Sequence, residues 1–215
     1  MKNTSLFVVI DGIDGSGKSL MSQMLVSYLI EKGCGAVHTF EPTSGHYGQR
    51  VRHILTADSD PKKNAELCLE LFTKDREEHL TQFILPSLKQ GKYVVCDRYY
   101  YSTIVYQHLQ GIEWDKVIGA NKNFRKPDIA FILDLPVGDD KAIKNSSAGT
   151  AVTRIKERGS ATEKFEDKAF LKELRKAFLE LNQKLEDNII VIDASKPKEE
   201  VFAFLTKEVD KLIKI

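Results

Sequence analysis

The chain has 215 residues, enough to bury a substantial core without covalent staples. Its 42% apolar and 29% charged residues exclude disorder and fibrous repeats. Thirty-two Lys plus Arg against 31 Asp plus Glu leave a net charge of +1, so no global field draws the protein to nucleic-acid polymers or anionic lipid.

Any anion site must therefore be built locally. The three cysteines, Cys34, Cys68 and Cys96, form no CxxC and suggest neither a disulfide framework nor a zinc knuckle, which points to a reducing cytoplasm. The apolar stretch Leu6 to Ile10 is too short for a secretory signal, and no run approaches the ~20 residues of a membrane span, so no membrane role is expected. The five histidines show no metal-ligand spacing and are expected to pack or to lie at the surface.

In chain order, Leu6 to Ile10 is a continuous apolar run that predicts a strand buried on both faces. Gly12-Ile13-Asp14-Gly15-Ser16-Gly17-Lys18-Ser19 then matches GxxxxGK[ST] at every fixed position, and a chance match in a chain of this size has a probability of about 1%. The chemistry is that of a phosphate loop. Glycines let backbone N–H groups turn onto a phosphate, a helix N-terminus adds partial positive charge, Lys18 reaches the outer phosphates and the Ser19 hydroxyl ligates Mg²⁺.

A helix is predicted from Lys18 to about Lys32, capped by Gly33, and a second strand over Ala36 to Phe40. Asp60-Pro61 opens a long helical segment ending near Gln90-Gly91, with Pro86 a kink or break; Phe72 and Arg76 ride on it one turn apart. Read alone, Phe72 is a core aromatic. Further strands are predicted at Tyr93 to Asp97, Ile129 to Leu135 and Ile189 to Asp193, and further helices at Asp167 to Glu186 and after Ser195 and Pro197. Strands alternating with helices imply parallel pairing.

Two strands end in an acid that could hold Mg²⁺, Asp97 and Asp134; Asp97 is preferred because Arg98 follows it, although either acid alone reads equally as a cap. The segment Val137 to Thr150 crowds Gly, Asp, Asn, Ser and Lys and reads as a mobile loop, so one domain over 1–215 with a lid at about 137–166 is expected. A guanine-reading NKxD is absent, since Asn121-Lys122-Asn123-Phe124 lacks the acid. Arg52, Arg76 and Arg98 follow or end strands on one side of the sheet and are candidates for a second anion site.

In these motifs the sequence resembles the thymidylate kinases among the phosphate-loop nucleoside monophosphate kinases, over nearly the whole chain. The resemblance implies a three-layer α/β phosphate-loop fold, a five-stranded parallel sheet of order 2-3-1-4-5 flanked by helices, and a flexible lid. It implies transfer of the ATP γ-phosphoryl group to dTMP with Mg²⁺, in a cytoplasmic homodimer that binds these small substrates. Gly12, Ile13, Asp14, Gly15, Ser16, Gly17, Lys18, Ser19 and the following Leu20 match the ATP-binding loop, with Asp14 near the acceptor.

By the same resemblance Glu41-Pro42-Thr43 with Arg52 matches an acceptor-phosphate segment. Leu71-Phe72-Thr-Lys-Asp-Arg76 matches a helix on which Phe72 stacks on the pyrimidine and Arg76 donates to a base carbonyl. In Asp97-Arg98-Tyr99 through Gln107, Arg98 binds the acceptor phosphate, Ser102 and Thr103 approach the base, and Tyr106 packs under the sugar so that deoxyribose is preferred. Gly15 stands where some members carry a loop arginine, so a lid cation is expected instead, Arg158 first and Arg154 second. Four positions depart from the pattern: Phe40 replaces an arginine, Leu20 a Thr or Ser, Thr103 a frequent Asn, and extra residues lie between Val137 and Thr150.

Two other readings stay open on sequence alone. One is a related kinase for another monophosphate or a deoxynucleoside; the other is a phosphate-loop ATPase or GTPase switch.

Overall fold

The computed structural model describes residues 5–56, 61–138, 150–152, 154 and 168–213. Its strands are β1 Phe7–Gly12, β2 Ala36–Phe40, β3 Tyr93–Asp97, β4 Ile129–Asp134 and β5 Ile189–Asp193. They form one parallel sheet in the order β2-β3-β1-β4-β5. The apolar runs explain that order, because β1 and β3 are buried throughout and β4 almost so, whereas the edge strands β2 and β5 carry part-exposed residues. β1 runs two residues past the expected Ile10, since Asp11 and Gly12 still pair with Ile132 and Leu133 of β4.

The helices are α1 Lys18–Glu31, α2 His46–Thr56, α3 Ala65–His79, α4 Leu85–Lys89, α5 Tyr100–Leu109, α6 Trp114–Asn121, α7 Lys168–Lys184 and α8 Lys198–Asp210. They flank the sheet: α1 packs on β1, β2 and β3 and against α8, while α4 lies on β3, α5 on β1 and α7 on β4. At the end of α1 the predicted cap forms, with Gly33 at φ 80° and the Cys34 N–H donating to Leu29 O at 2.9 Å.

The segment expected to be one long helix with a kink at Pro86 is four pieces. A 3₁₀ turn, Pro61–Asn64, leads into α3, and a π-helical turn, Leu80–Ile84, separates α3 from α4. Pro86 is the cause: its ring would collide with the carbonyl four residues back and it has no N–H to bond there, so the helix widens in the turn before it. Helices α2, α5 and α6 were not anticipated. The α5 sequence YYSTIVYQHL is rich in aromatic and β-branched residues of modest helix propensity, and tertiary burial of Tyr100, Tyr101, Thr103, Ile104, Val105 and Gln107 holds it helical. Asp60 and Asp167 lie outside the described residues, as does most of the expected lid.

Candidate active site

The loop between β1 and α1 is shaped by two glycines. Gly12 has φ 137°, and a Cβ there would stand 2.6 Å from Leu133 O; Gly17, at φ 98°, turns the chain into α1 without a side-chain cap. The first N–H groups of α1 therefore face the loop, as an anion site requires. Lys18 Nζ donates to Ile13 O at 2.8 Å and lies 3.6 Å from Asp14. Burial and the nearby Arg98 push the Lys18 pKa down against the pull of Asp14, Asp97 and Asp11.

At the head of α1 the Ser19 hydroxyl donates to Asp97 Oδ2 at 2.5 Å, while Asp97 Oδ1 is buried without a partner among the described residues. A hydroxyl and an orphaned carboxylate oxygen beside a phosphate loop are hard oxygen donors that fit Mg²⁺, which takes one or two protein oxygens and completes its shell with nucleotide and water. Asp134, the other candidate, is held by Arg175 at 2.6 and 3.0 Å. That separates the two acids. Among the described residues no cluster of three His, Cys, Asp or Glu forms a metal cage.

Asp11 and Arg98 tie the ends of β1 and β3 together. Asp11 is fully buried and accepts from the Gly12, Tyr99 and Ser102 N–H groups and from Ser102 Oγ at 2.6 Å. Burial raises its pKa, and Arg98, the Ser102 hydroxyl, Lys18 and the Gly12 amide pull the other way without reversing it. Arg98 is the one described non-glycine residue at positive φ, 66°, a left-handed backbone that points its guanidinium back over the phosphate loop. There it donates to Asp14 Oδ1 and to Ser102 Oγ, the latter at 2.8 Å. Asp14 also accepts from Tyr106 Oη at 3.1 Å. Burial alone would raise the Asp14 pKa, but Arg98 and Lys18, helped by the Tyr106 hydroxyl, hold it well below 3.8. Arg98 in turn sits above the ordinary arginine value, because Asp14 foremost outweighs its desolvation.

Beside this lies a cavity of about 350 Å³, lined among others by Asp14, Glu41, Pro42, Arg52, Phe72, Arg76, Arg98, Ser102, Thr103, Tyr106 and Gln107. All eleven substrate-site residues of the sequence reading are therefore brought together. Phe72 is half-buried at the wall, not lost in the core. Arg76 is 0% exposed, and its charge is balanced by Glu41 Oε2, which accepts from Nε at 2.9 Å and from Nη2 at 2.7 Å. Nη2 also reaches Thr103 Oγ1 at 3.0 Å and Nη1 reaches Asn121 Oδ1 at 2.5 Å. Rings of Tyr99 and Phe124 lie 5.0 and 5.5 Å from its guanidinium. Four of its five N–H groups are thus engaged, and one Nη1 hydrogen has no partner among the described residues. Gln107 Oε1 is likewise buried and unpartnered there.

A second cavity of about 470 Å³ lies over the phosphate loop and includes Lys18, Ser19 and Asp97. It shares five residues with the first: Asp14, Glu41, Pro42, Arg52 and Arg98. Arg52 donates to the Pro42 and Thr43 carbonyls and lies 5.7 Å from the Phe40 ring, so an aromatic face steadies this cation. A third cavity, about 410 Å³, joins Gly15, Ser16, Gly17 and Leu20 to Arg154, whose guanidinium reaches Gly15 O at 3.4 Å and Ala194 O at 3.2 Å. Arg158 lies outside the described residues. Among the described residues the predicted cations line three adjoining cavities, Arg76 the first, Arg52 and Arg98 the first and second, Lys18 the second and Arg154 the third.

Sequence reasoning missed Asp11, Asp75, His79 and Asn121. Asp75 accepts from the Thr43 N–H at 2.7 Å and from Thr43 Oγ1 at 2.5 Å, pinning the segment after β2 to α3. Its position one residue before Arg76, inside a helix, was the available signal.

A parallel sheet that carries a glycine-rich loop from its central strand into α1, with a second cation-lined cavity opening onto the first, defines a phosphate-loop nucleotide kinase. The thymidylate kinase family model matches residues 10–205. The chain is 36% identical over 196 residues to the thymidylate kinase of Brachyspira hyodysenteriae, covering 90% of this chain and 88% of the relative. It is 37% identical over 198 residues to that of Leptospira borgpetersenii, covering 91% and 89%, and 40% identical over 147 residues to that of Desulfotalea psychrophila, covering 68% and 72%. The chain belongs to the thymidylate kinase family.

Proposed function

We propose that the protein transfers the γ-phosphoryl group of ATP to dTMP, giving dTDP and ADP. One observation carries this reading: the phosphate-loop cavity and the base-sized cavity share a wall containing Arg52, Arg98 and Asp14, so a donor phosphate and an acceptor phosphate meet there. The loop amides and Lys18 bind and orient the donor phosphates. Ser19 and Asp97 would hold Mg²⁺, which would supply charge neutralisation when bound. Arg98 and Arg52 hold the acceptor phosphate in line. Asp14 accepts from Arg98 and lies near Lys18, so it keeps these two cations at the transfer point.

The acceptor is already an anion and needs no general base; phosphoryl transfer has a loose transition state, and the protein chiefly positions and neutralises. At the other end of the acceptor cavity Phe72 stacks on the base, and the remaining N–H of Arg76 donates to its C4 carbonyl, which thymine has and cytosine replaces with an amine. Tyr106 fills the floor where a 2′-hydroxyl would sit. Lid residues 137–166, with Arg158 first and Arg154 second, close over ATP and exclude water. The unit is one domain over 1–215, a cytoplasmic homodimer with no membrane or nucleic-acid partner; no helix among the described residues is long and apolar enough to cross a membrane. Sedimentation tests the dimer.

The activity is tested by mixing the protein with Mg-ATP and a panel of nucleoside monophosphates and nucleosides while following ADP release. dTMP should give the highest kcat/KM. A different preferred acceptor overturns the substrate, and no stimulation by any acceptor overturns the kinase reading.

A further inference from the structure

The Glu41 carboxylate has two oxygens, and only one faces Arg76. The other, Oε1, lies 3.1 Å from Nδ1 of His79, a buried histidine one helical turn beyond Arg76 on α3. The opposite ring nitrogen, Nε2, lies 2.6 Å from the Thr39 hydroxyl in β2. With the proton on Nδ1 these partners are all satisfied: His79 donates to Glu41 and accepts from Thr39. The ring plane is fixed from the side as well, stacked on Phe83 of the π-helical turn at 6.0 Å and 24°.

The result is a chain of contacts, Thr39 to His79 to Glu41 to Arg76, that begins on an edge strand and ends at the acceptor cavity. Glu41, Arg76 and His79 are all buried, which shields their contacts from water. A carboxylate gripped at one oxygen only could pivot about its Cγ–Cδ bond. Arg76 would turn with it, since Glu41 supplies two of its four hydrogen bonds.

We propose that His79 is a positioning residue for acceptor recognition: by holding Glu41 Oε1 it sets the plane in which Arg76 presents its remaining N–H to the base. The inference rests on the dTMP kinase reading above. His79 does not touch the acceptor cavity, so its effect is exerted through Glu41 alone.

The test is steady-state kinetics on the full chain with wild type, His79→Ala, His79→Asn and His79→Gln, with thermal midpoints taken in parallel. His79→Ala should raise KM for dTMP about 10-fold, with KM for ATP within about 2-fold, and should reduce the preference for dTMP over dCMP by a similar factor. The Asn amide takes the place of Nδ1 and should bring KM for dTMP back to within about 3-fold of wild type, whereas the longer Gln amide mimics Nε2, reaches Thr39 instead and should not. An unchanged KM for dTMP in His79→Ala overturns the proposal, as does a rise in both KM values that follows the loss of thermal stability. If the Ala variant does not fold, the contrast between Asn and Gln decides, and equal behaviour of the two overturns the proposal. Failure of the functional reading is distinguishable, because wild type itself would then show no dTMP-stimulated ADP release.

Discussion

The donor and acceptor sides of the cleft are built of different materials. The donor side leans on backbone: the contiguous phosphate loop and the N-terminus of α1 form it, and the side chains of Lys18, Ser19 and Asp97 add to it. The acceptor side is mostly side chains, drawn from the segment after β2, from α2, α3 and α5 and from the segment before α5, and they engage one another. A backbone site is tolerant, since its donors survive most substitutions of neighbouring side chains. A side-chain network is selective and brittle, because removing one member leaves another buried and unpaired.

Lys18→Ala probes the donor side where a side chain does matter, and should lower kcat about 1,000-fold while leaving KM for dTMP within about 2-fold. A matching rise in KM for dTMP would merge the two sides. Arg98→Ala strikes the shared wall and should lower kcat/KM for dTMP about 100-fold, through both kcat and KM, with little change in ATP affinity by equilibrium titration. If acceptor dependence is unaltered, Arg98 leaves the site. Phe72→Ala belongs to the acceptor side alone and should raise KM for dTMP about 10-fold with kcat nearly constant, since a stacking face binds ground and transition states alike.

The smallest effect is expected from Asp14→Asn, read as stability against pH. The wild-type carboxyl is held below 3.8, against its burial, by Arg98 and Lys18. A depressed folded pKa contributes stability that is present above the unfolded value and is lost as pH falls through the folded one. Thermal midpoints followed downward from neutrality should therefore fall less steeply below about pH 4 in Asp14→Asn than in wild type. Equal slopes would show that Asp14 and its two cations are not coupled in the folded protein.

The same contrast explains what could be read from the sequence. Central strands announce themselves as apolar runs, and the phosphate loop is contiguous, so its geometry follows from eight adjacent letters. Arg52, Phe72, Arg76 and Arg98 emerged through their setting in longer family motifs. Asn121 and His79 did not emerge: Asn121 contributes through one oxygen at the end of α6, and His79 looked like a packing residue among five histidines without ligand spacing. Networks of this kind depend on three-dimensional neighbours 35 to 45 residues apart, which no local period encodes. Helix α2 was hidden for a related reason, since Gly48 sits within its first turn. The close approach that excludes a larger residue there, a Cβ falling 2.0 Å from Thr43 O, is visible only once the chain is folded.

The wide turn at Leu80–Ile84 carries one residue more than an α-helix would need, and that surplus acts as a phase shifter. Upstream of it Arg76 lines the acceptor cavity, and at its far end Ile84 is buried in the core. Deleting a single residue from the turn would rotate everything beyond by about 100° relative to everything before. Either the site or the core would then lose its alignment. The irregular turn thus lets one helical rod serve two masters whose spacing is not a whole number of turns, and chain length there is constrained more tightly than residue identity.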